Sequence, residues 1–317
     1  MPALILTSAI YKKVQLFFIP YLVTLIGLCA IYTSLNWLLI VRFQVFQIHE
    51  HLVELVGPGL LSGLIAILYI TPKLKYLKVR FRWISWESLY YICLFFALAV
   101  PIGATQVYLR KASGQLTEVS DITQIPWRKS PKYLSISKHY VQKKYRGTSW
   151  SATVSGRRYR NFNMHIYVVM PILSSEDDIP ASAVQAWLGK SYDKTISRKL
   201  TTTEKVQLFK AFIAETELSF RNENFDRFDY LERVGYNLNL DGYMKALRNS
   251  SAYRSQNGFV LEAVNGQFKN RLNGIRDFTI TSYAIFPIFW LILILIPGLN
   301  QREEEPVKST PTPAEIV

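Results

Sequence analysis

The sequence predicts a membrane α-helical fold of four transmembrane helices with one inserted extracytoplasmic α+β domain, an antiparallel sheet plus helices. Three observations carry that prediction. Apolar residues, half of the chain, gather into four long runs, and the charges fall between them. The stretch between the third and fourth runs alternates apolar and polar residues at period two, then changes to helical spacing. Lys and Arg are spread unequally over the short loops.

A bilayer core needs about 20 largely apolar residues in a helix. The first run, Leu16–Val41, has no charge. The second, Leu52–Ile70, carries only Glu54, in its first turn, together with Pro58 and three glycines. The third is Leu89–Val107 and the fourth Phe278–Leu299. Pro20, Pro101 and Pro287 are expected kinks, since proline withholds a backbone donor. Lys12 and Lys13 precede the first run as they would a secretory signal. The run is too long for one, and no small-residue cleavage site follows. Cys29 and Cys93 both lie inside runs, so neither a disulfide framework nor a cysteine zinc site organises the chain.

Orientation follows the cations of short loops. Lys12 and Lys13 lie before the first run, and only Arg42 lies in the first loop. The second loop carries Lys73, Lys75, Lys78, Arg80 and Arg82. This asymmetry places the N-terminus and the second loop in the cytoplasm, residues 109–277 outside, and the C-terminus inside again. The expected organisation is a three-span anchor (1–108), the extracytoplasmic domain (109–277), the fourth span (278–299) and a disordered tail (300–317). The tail, QREEEPVKSTPTPAEIV, is too poor in apolar residues to fold alone.

Within the domain, KYLSISKHYV, SWSATVSG and NFNMHIYVVMP each alternate, which predicts an antiparallel sheet with one wet face. TTTEKVQLFKAFIAETELSF opens on a threonine cap and places Val206, Phe209, Phe212 and Ile213 on one expected helix face. DYLERVGYNLNLDGYMKALRNS predicts a second helix, and GFVLEAV a returning strand. Both helices are expected on one sheet face.

The chain's net charge of +14 is concentrated here. No acid occurs between Asp121 and Glu176, while Lys138, Lys143, Lys144, Arg146, Arg157, Arg158 and Arg160 do. Such a face suits anionic lipid headgroups or envelope phosphates, at about 1 kcal/mol per cation near the surface. The alternative is a solvated sheet whose acids come from the helical half. Nucleic acid is not an expected partner of an extracytoplasmic domain.

Motifs for chemistry are sparse. In QIHEHLVE, residues 47–54, the zinc-protease pattern H-E-x-x-H needs a second histidine where Val53 stands. His49, His51 and Glu54 remain a weak metal-ligating set at the edge of the second run, and His51 is the expected partner of Glu54. GTSWS and GLLSG both miss the G-x-S-x-G spacing, and no phosphate-binding glycine loop occurs. His139 and His165 fall on polar sides of expected strands. No cofactor is expected.

One longer pattern is more specific. VPIGATQVYLRKASGQLTEVSDI follows the third run, then come AVQAWLGKSYDKTISRKL, RFDYLERVG and the last run. Over residues 15–298 this resembles the membrane module that precedes the protease core in Bacteroidetes rhomboid-family proteins. The resemblance implies a bacterial cytoplasmic-membrane protein with three spans, a soluble insert and a fourth span. It carries no catalytic residue onto this chain, which lacks the rhomboid core pattern. The function expected is non-catalytic binding or regulation at the membrane surface, with lipids or a membrane protein such as a rhomboid core as partner. A rhomboid-associated serine peptidase component is the alternative, and a metal-dependent membrane hydrolase the second.

Overall fold

The computed structural model describes residues 10–38, 49–74, 76–78, 86–125, 131–155, 161–176, 184, 186–197, 200–251 and 258–299. The chain forms two compact units, Met1–Ala112 with Leu272–Val317, and Ser113–Arg271.

The first unit is helical. Helices α1 (Ile10–Asn36) and α3 (Ser88–Ala112) and the helical run Phe268–Leu295 are long and apolar enough to cross a membrane. The regular part of that last run is α6 (Asn273–Leu295). Between α1 and α3 lies a shorter apolar helix, α2 (Leu52–Leu68). Proline shapes two of these helices in the same way. Ile19, just before Pro20, donates its N–H five residues back to Val14, and Gly57, just before Pro58, does so to Leu52. Proline cannot supply the usual bond four residues back, and a wider π-turn takes up the slack. Pro101 and Pro287 lie within α3 and α6.

Buried and half-buried tyrosines tie these helices together through backbone carbonyls. Tyr21 donates to the Ala97 carbonyl at 3.0 Å, Tyr32 to Val53 at 2.7 Å and Tyr90 to Leu293 at 2.7 Å. Lys13 Nζ donates to the carbonyl of Leu295 at 2.8 Å. Each phenol buries a ring and still satisfies its hydroxyl. The core forms around Tyr21, Leu25, Leu94, Leu98, Ile102 and Trp290. A short ladder of β1 (Leu77–Lys78) with β10 (Gly298–Leu299) closes one end.

The second unit is a curled sheet with two main helices. Its strands are β2 (Leu116–Asp121), β3 (Tyr133–Lys138), β4 (Tyr140–Val141), β5 (Gly147–Ser155), β6 (Asn161–Leu173), β7 (Ala186–Ser197), β8 (Tyr230–Arg233) and β9 (Phe259–Val264). The order is β2-β3-β8-β9-β7-β6-β4, with β5 also on β6. The sheet is mixed, whereas the alternation predicts an antiparallel one. β2 runs parallel to β3, and β7 parallel to β9. Period two reports which residues share a face and says nothing of strand direction.

The helices are α4 (Thr202–Asn222) and α5 (Leu238–Arg248). They cover opposite faces of the sheet, not one. Met164, Ile166, Val168 and Met170 of β6 share a core with Phe212 and Phe220 of α4. Tyr167, Val169 and Leu173, pointing the other way, share one with Tyr243 and Leu247 of α5. This accounts for the change of pattern along β6, which alternates through Asn161–His165 and is then buried at every residue from Ile166 to Leu173. A strand covered on both faces becomes a continuous apolar run.

Two further expectations are corrected. Tyr230–Arg233 is a strand, and the helix expected from residue 229 begins only at Leu238, where the Asn237 side chain accepts from the N–H groups of Asn239 and Leu240. The stretch Ala186–Ser197 is also a strand. In α4 the buried stripe is Phe212, Thr216 and Phe220, and Val206 and Ile213 are exposed. The expected Thr201–Glu204 capping box is present.

Candidate functional site

Two places gather polar side chains. The first is at one end of the helical unit. Glu54 enters the first turn of α2 and Glu50 precedes it by one turn. Both accept hydrogen bonds from Arg110 near the end of α3, Glu50 at 3.1 Å and Glu54 through Nε. The three side chains are 31%, 17% and 14% exposed for Arg110, Glu50 and Glu54, so the carboxylates lie largely out of solvent. A guanidinium between two carboxylates offers its rigid fork to both and offsets their desolvation. Arg110 therefore takes the place expected of His51. The His51 ring instead stacks on His49, centroids 5.2 Å apart. Among the described residues no group of three His, Cys, Asp or Glu is placed to hold a metal ion.

This end is polar beyond the ion pairs. Asn36 donates to Gln106 at 2.8 Å, and Gln106 donates to Thr33 at 2.9 Å. The close approach of α2 to α3 depends on glycine. A Cβ on Gly103 would stand 2.6 Å from the Glu54 carbonyl oxygen. From His51 and Glu54 an apolar groove of 1090 Å³ runs along the outside of α2 and α3, past Gly59, Gly63, Phe95 and Phe96. Its chemistry suits an acyl chain or an apolar helix.

The second place is the sheet face left bare by α5. His165 on β6 lies opposite Ser151 of β5 and Asp193 of β7. Its Nδ1 is 2.6 Å from Asp193 Oδ1, and its Nε2 is 3.4 Å from Thr153 Oγ1. Asn163 continues the row, donating to Ser155 at 2.8 Å and accepting from Thr195 at 2.9 Å. This is a cross-strand polar ladder on an open face. His139 is elsewhere, its ring nitrogens each 3.1 Å from the carbonyl oxygens of Ile136 and Asp226 and its ring stacked on Phe228.

The basic residues of the sheet divide. Lys143 and Arg146 are engaged by α4. Lys143 Nζ donates to the carbonyls of Phe220, Arg221 and Glu223, the last at 2.6 Å, at the helix C-terminus where cations are favoured. Arg146 grips Glu217 with both oxygens within 3.0 Å. The Glu217 carboxyl is held below the usual range, first by its bond from Arg221 and then by Arg146. Lys138 and Lys144 are exposed. Arg157, Arg158 and Arg160 lie outside the described residues.

Two tyrosines in this unit are paired with acid. Tyr243 donates to Glu262 at 2.8 Å, and Tyr192 to Glu223 at 3.0 Å. Burial, reinforced by those carboxylates, pushes both phenols upward. No protein-family model, curated protein or solved structure matches the chain.

Proposed function

We propose that the chain is a four-span protein of the bacterial cytoplasmic membrane, both termini cytoplasmic, which presents its sheet domain outside as a non-catalytic recognition or regulatory module. The observation that supports this best is the alternation of helix ends. Lys13 of α1 meets the end of α6, whereas Asn36 of α1 meets Gln106 of α3 and Glu54 of α2 meets Arg110 of α3. Such pairing suits α1 and α3 running one way and α2 and α6 the other, so that α2 completes an even number of crossings despite its shorter apolar stretch. The loop cations then orient the bundle.

Single cysteines at Lys12 and Lys138, in a variant without Cys29 and Cys93, test this in intact cells. A membrane-impermeant maleimide labels position 138 from outside and position 12 only after permeabilisation. The opposite pattern overturns the orientation and with it the outward role of the sheet domain. The quoted resemblance favours a second reading, in which the partner is a rhomboid core. Labelling of the purified protein by a fluorophosphonate serine probe would replace the non-catalytic reading with a peptidase one.

A further inference from the structure

β5 forms an edge of the sheet, hydrogen-bonded among the described strands to β6 alone. Its nine residues, GTSWSATVS, carry neither charge nor proline, and its register with β6 is unbroken from Gly147 to Ser155. Edge strands are ordinarily blunted by lysine, proline, a bulge or shortness, because their unpaired amides recruit other strands. β5 uses none of these.

Among the described residues, only its beginning is covered by side-chain bonds from or to α5 and its end. Asn249 donates to the Thr148 carbonyl at 2.8 Å, and Ser149 donates to the Gly242 carbonyl at 2.7 Å. In an antiparallel ladder alternate residues turn their N–H and C=O to the same side. The amide groups of Trp150, Ala152 and Val154 therefore share the outward direction of the Thr148 carbonyl. The same three side chains share one sheet face and are exposed, Trp150 at 64% and Val154 at 43%. The Trp150 ring meets Phe209 of α4 at 5.3 Å. Val206 and Ile213, one turn to either side of Phe209, extend the apolar strip at 49% and 45% exposure.

We infer that β5 is a strand-addition site for an extended polypeptide segment, apolar at alternate residues and acidic at both ends. Main-chain bonds to Trp150, Ala152 and Val154 supply affinity, and the strip of Trp150, Val154, Val206 and Ile213 selects the alternate side chains. The charge of the occupant follows from the sequence around the strand. Exposed Lys144 precedes β5, the sequence sets Arg157, Arg158 and Arg160 just after it, and no acid lies between Asp121 and Glu176. A second copy paired antiparallel on β5 would bring the cations before one strand to the cations after the other. Acidic flanks complement the cations that the sequence places on either side of the strand.

The inference deepens the recognition role proposed above, and its test is independent of membrane orientation. Full-length protein in phosphatidylcholine nanodiscs is titrated with the labelled peptide Asp-Asp-Val-Thr-Val-Thr-Val-Asp-Asp and with the same core flanked by lysines. Hydrogen exchange is followed over residues 148–155. The acidic peptide binds about tenfold more tightly than the lysine form, an advantage that shrinks with salt, and it slows exchange in β5. Ala152→Pro removes an outward N–H at an edge position where proline is tolerated, so binding is lost while circular dichroism is unchanged. Trp150→Ala weakens binding about tenfold. Absence of peptide-dependent protection in β5, or undiminished binding by Ala152→Pro with the fold intact, overturns the inference. So does protection that rises with protein concentration alone, which would make a second copy the occupant.

Discussion

The two units treat the same side chain in opposite ways. In the helical unit the buried hydroxyls of Tyr21 and Tyr90 go to backbone carbonyls, those of Ala97 and Leu293. In the sheet unit the hydroxyls of Tyr243 and half-buried Tyr192 go to carboxylates, those of Glu262 and Glu223. Among the described residues, exposed large apolar side chains are also more frequent in the helical unit. Val23, Leu60 and Ile280 stand exposed on the helices, whereas Trp187 and Leu231 are buried in the sheet unit. The difference teaches which solvent each surface suits. An ionised acid among apolar helices is costly unless a cation meets it, so such acids are few and gather on Arg110. Beside water, acids are cheap to solvate and recur along α4.

Mutations can break or sharpen that contrast. The largest effect is expected at the centre of the sheet unit. Trp187→Ala removes a fully buried indole that donates to the Val184 carbonyl at 3.2 Å, and costs about 4 kcal/mol. Protease resistance of Ser113–Arg271 should fall while the helical content of the other unit persists. Loss of both together would mean that the units do not melt separately.

Next comes Arg110→Ala, which takes the guanidinium from Glu54 and Glu50 and costs about 3 kcal/mol in detergent. Arg110→Lys should recover part of it, since the charge remains and the fork is lost. An unchanged melting temperature in Arg110→Ala would show that water reaches these carboxylates.

The smallest effect is at Glu217. Arg221 and Arg146 depress its folded-state pKa, so its contribution is present above the ordinary carboxylate range and is lost as pH falls through the depressed value. Its side chain is over a third exposed, and the effect is small for that reason. Glu217→Gln should flatten the acid limb of the sheet unit's stability curve. An acid limb identical to that of the unsubstituted protein would assign it to other carboxylates.

Much of this was legible in the residues. Uninterrupted apolar length marked α1, α3 and α6, and the Thr201–Glu204 pair marked the start of α4. The alternation of Asn161–His165 marked a wet strand face. What was hidden depended on residues far apart. Glu54 and Arg110 stand fifty-six positions apart, yet one begins the second apolar run and the other ends the third. The expected topology already put those ends on the same side, a signal sufficient to pair them. The apolar stretch VVMPIL at the end of β6 signalled cover on both faces, although nothing local named α5 as the second cover. Strand direction in β2–β3 and β7–β9 left no local trace, because parallel and antiparallel ladders set the same side chains on a face. The basic stretch of the sheet could be seen in the sequence, but not that α4 would engage Lys143 and Arg146 and leave Lys144 exposed.

The bond from Lys13 to the Leu295 carbonyl joins residues 282 positions apart. Ribosomal synthesis proceeds from the N-terminus, so the ammonium emerges long before its acceptor exists. α1 can meet α3 early, through Tyr21 with Ala97 and Gln106 with Thr33, and hold a provisional three-helix arrangement. The whole sheet unit must then be made before α6 arrives to complete it. Assembly thus has a built-in order, with the inserted domain free to fold during the interval and the last helix acting as the closing step.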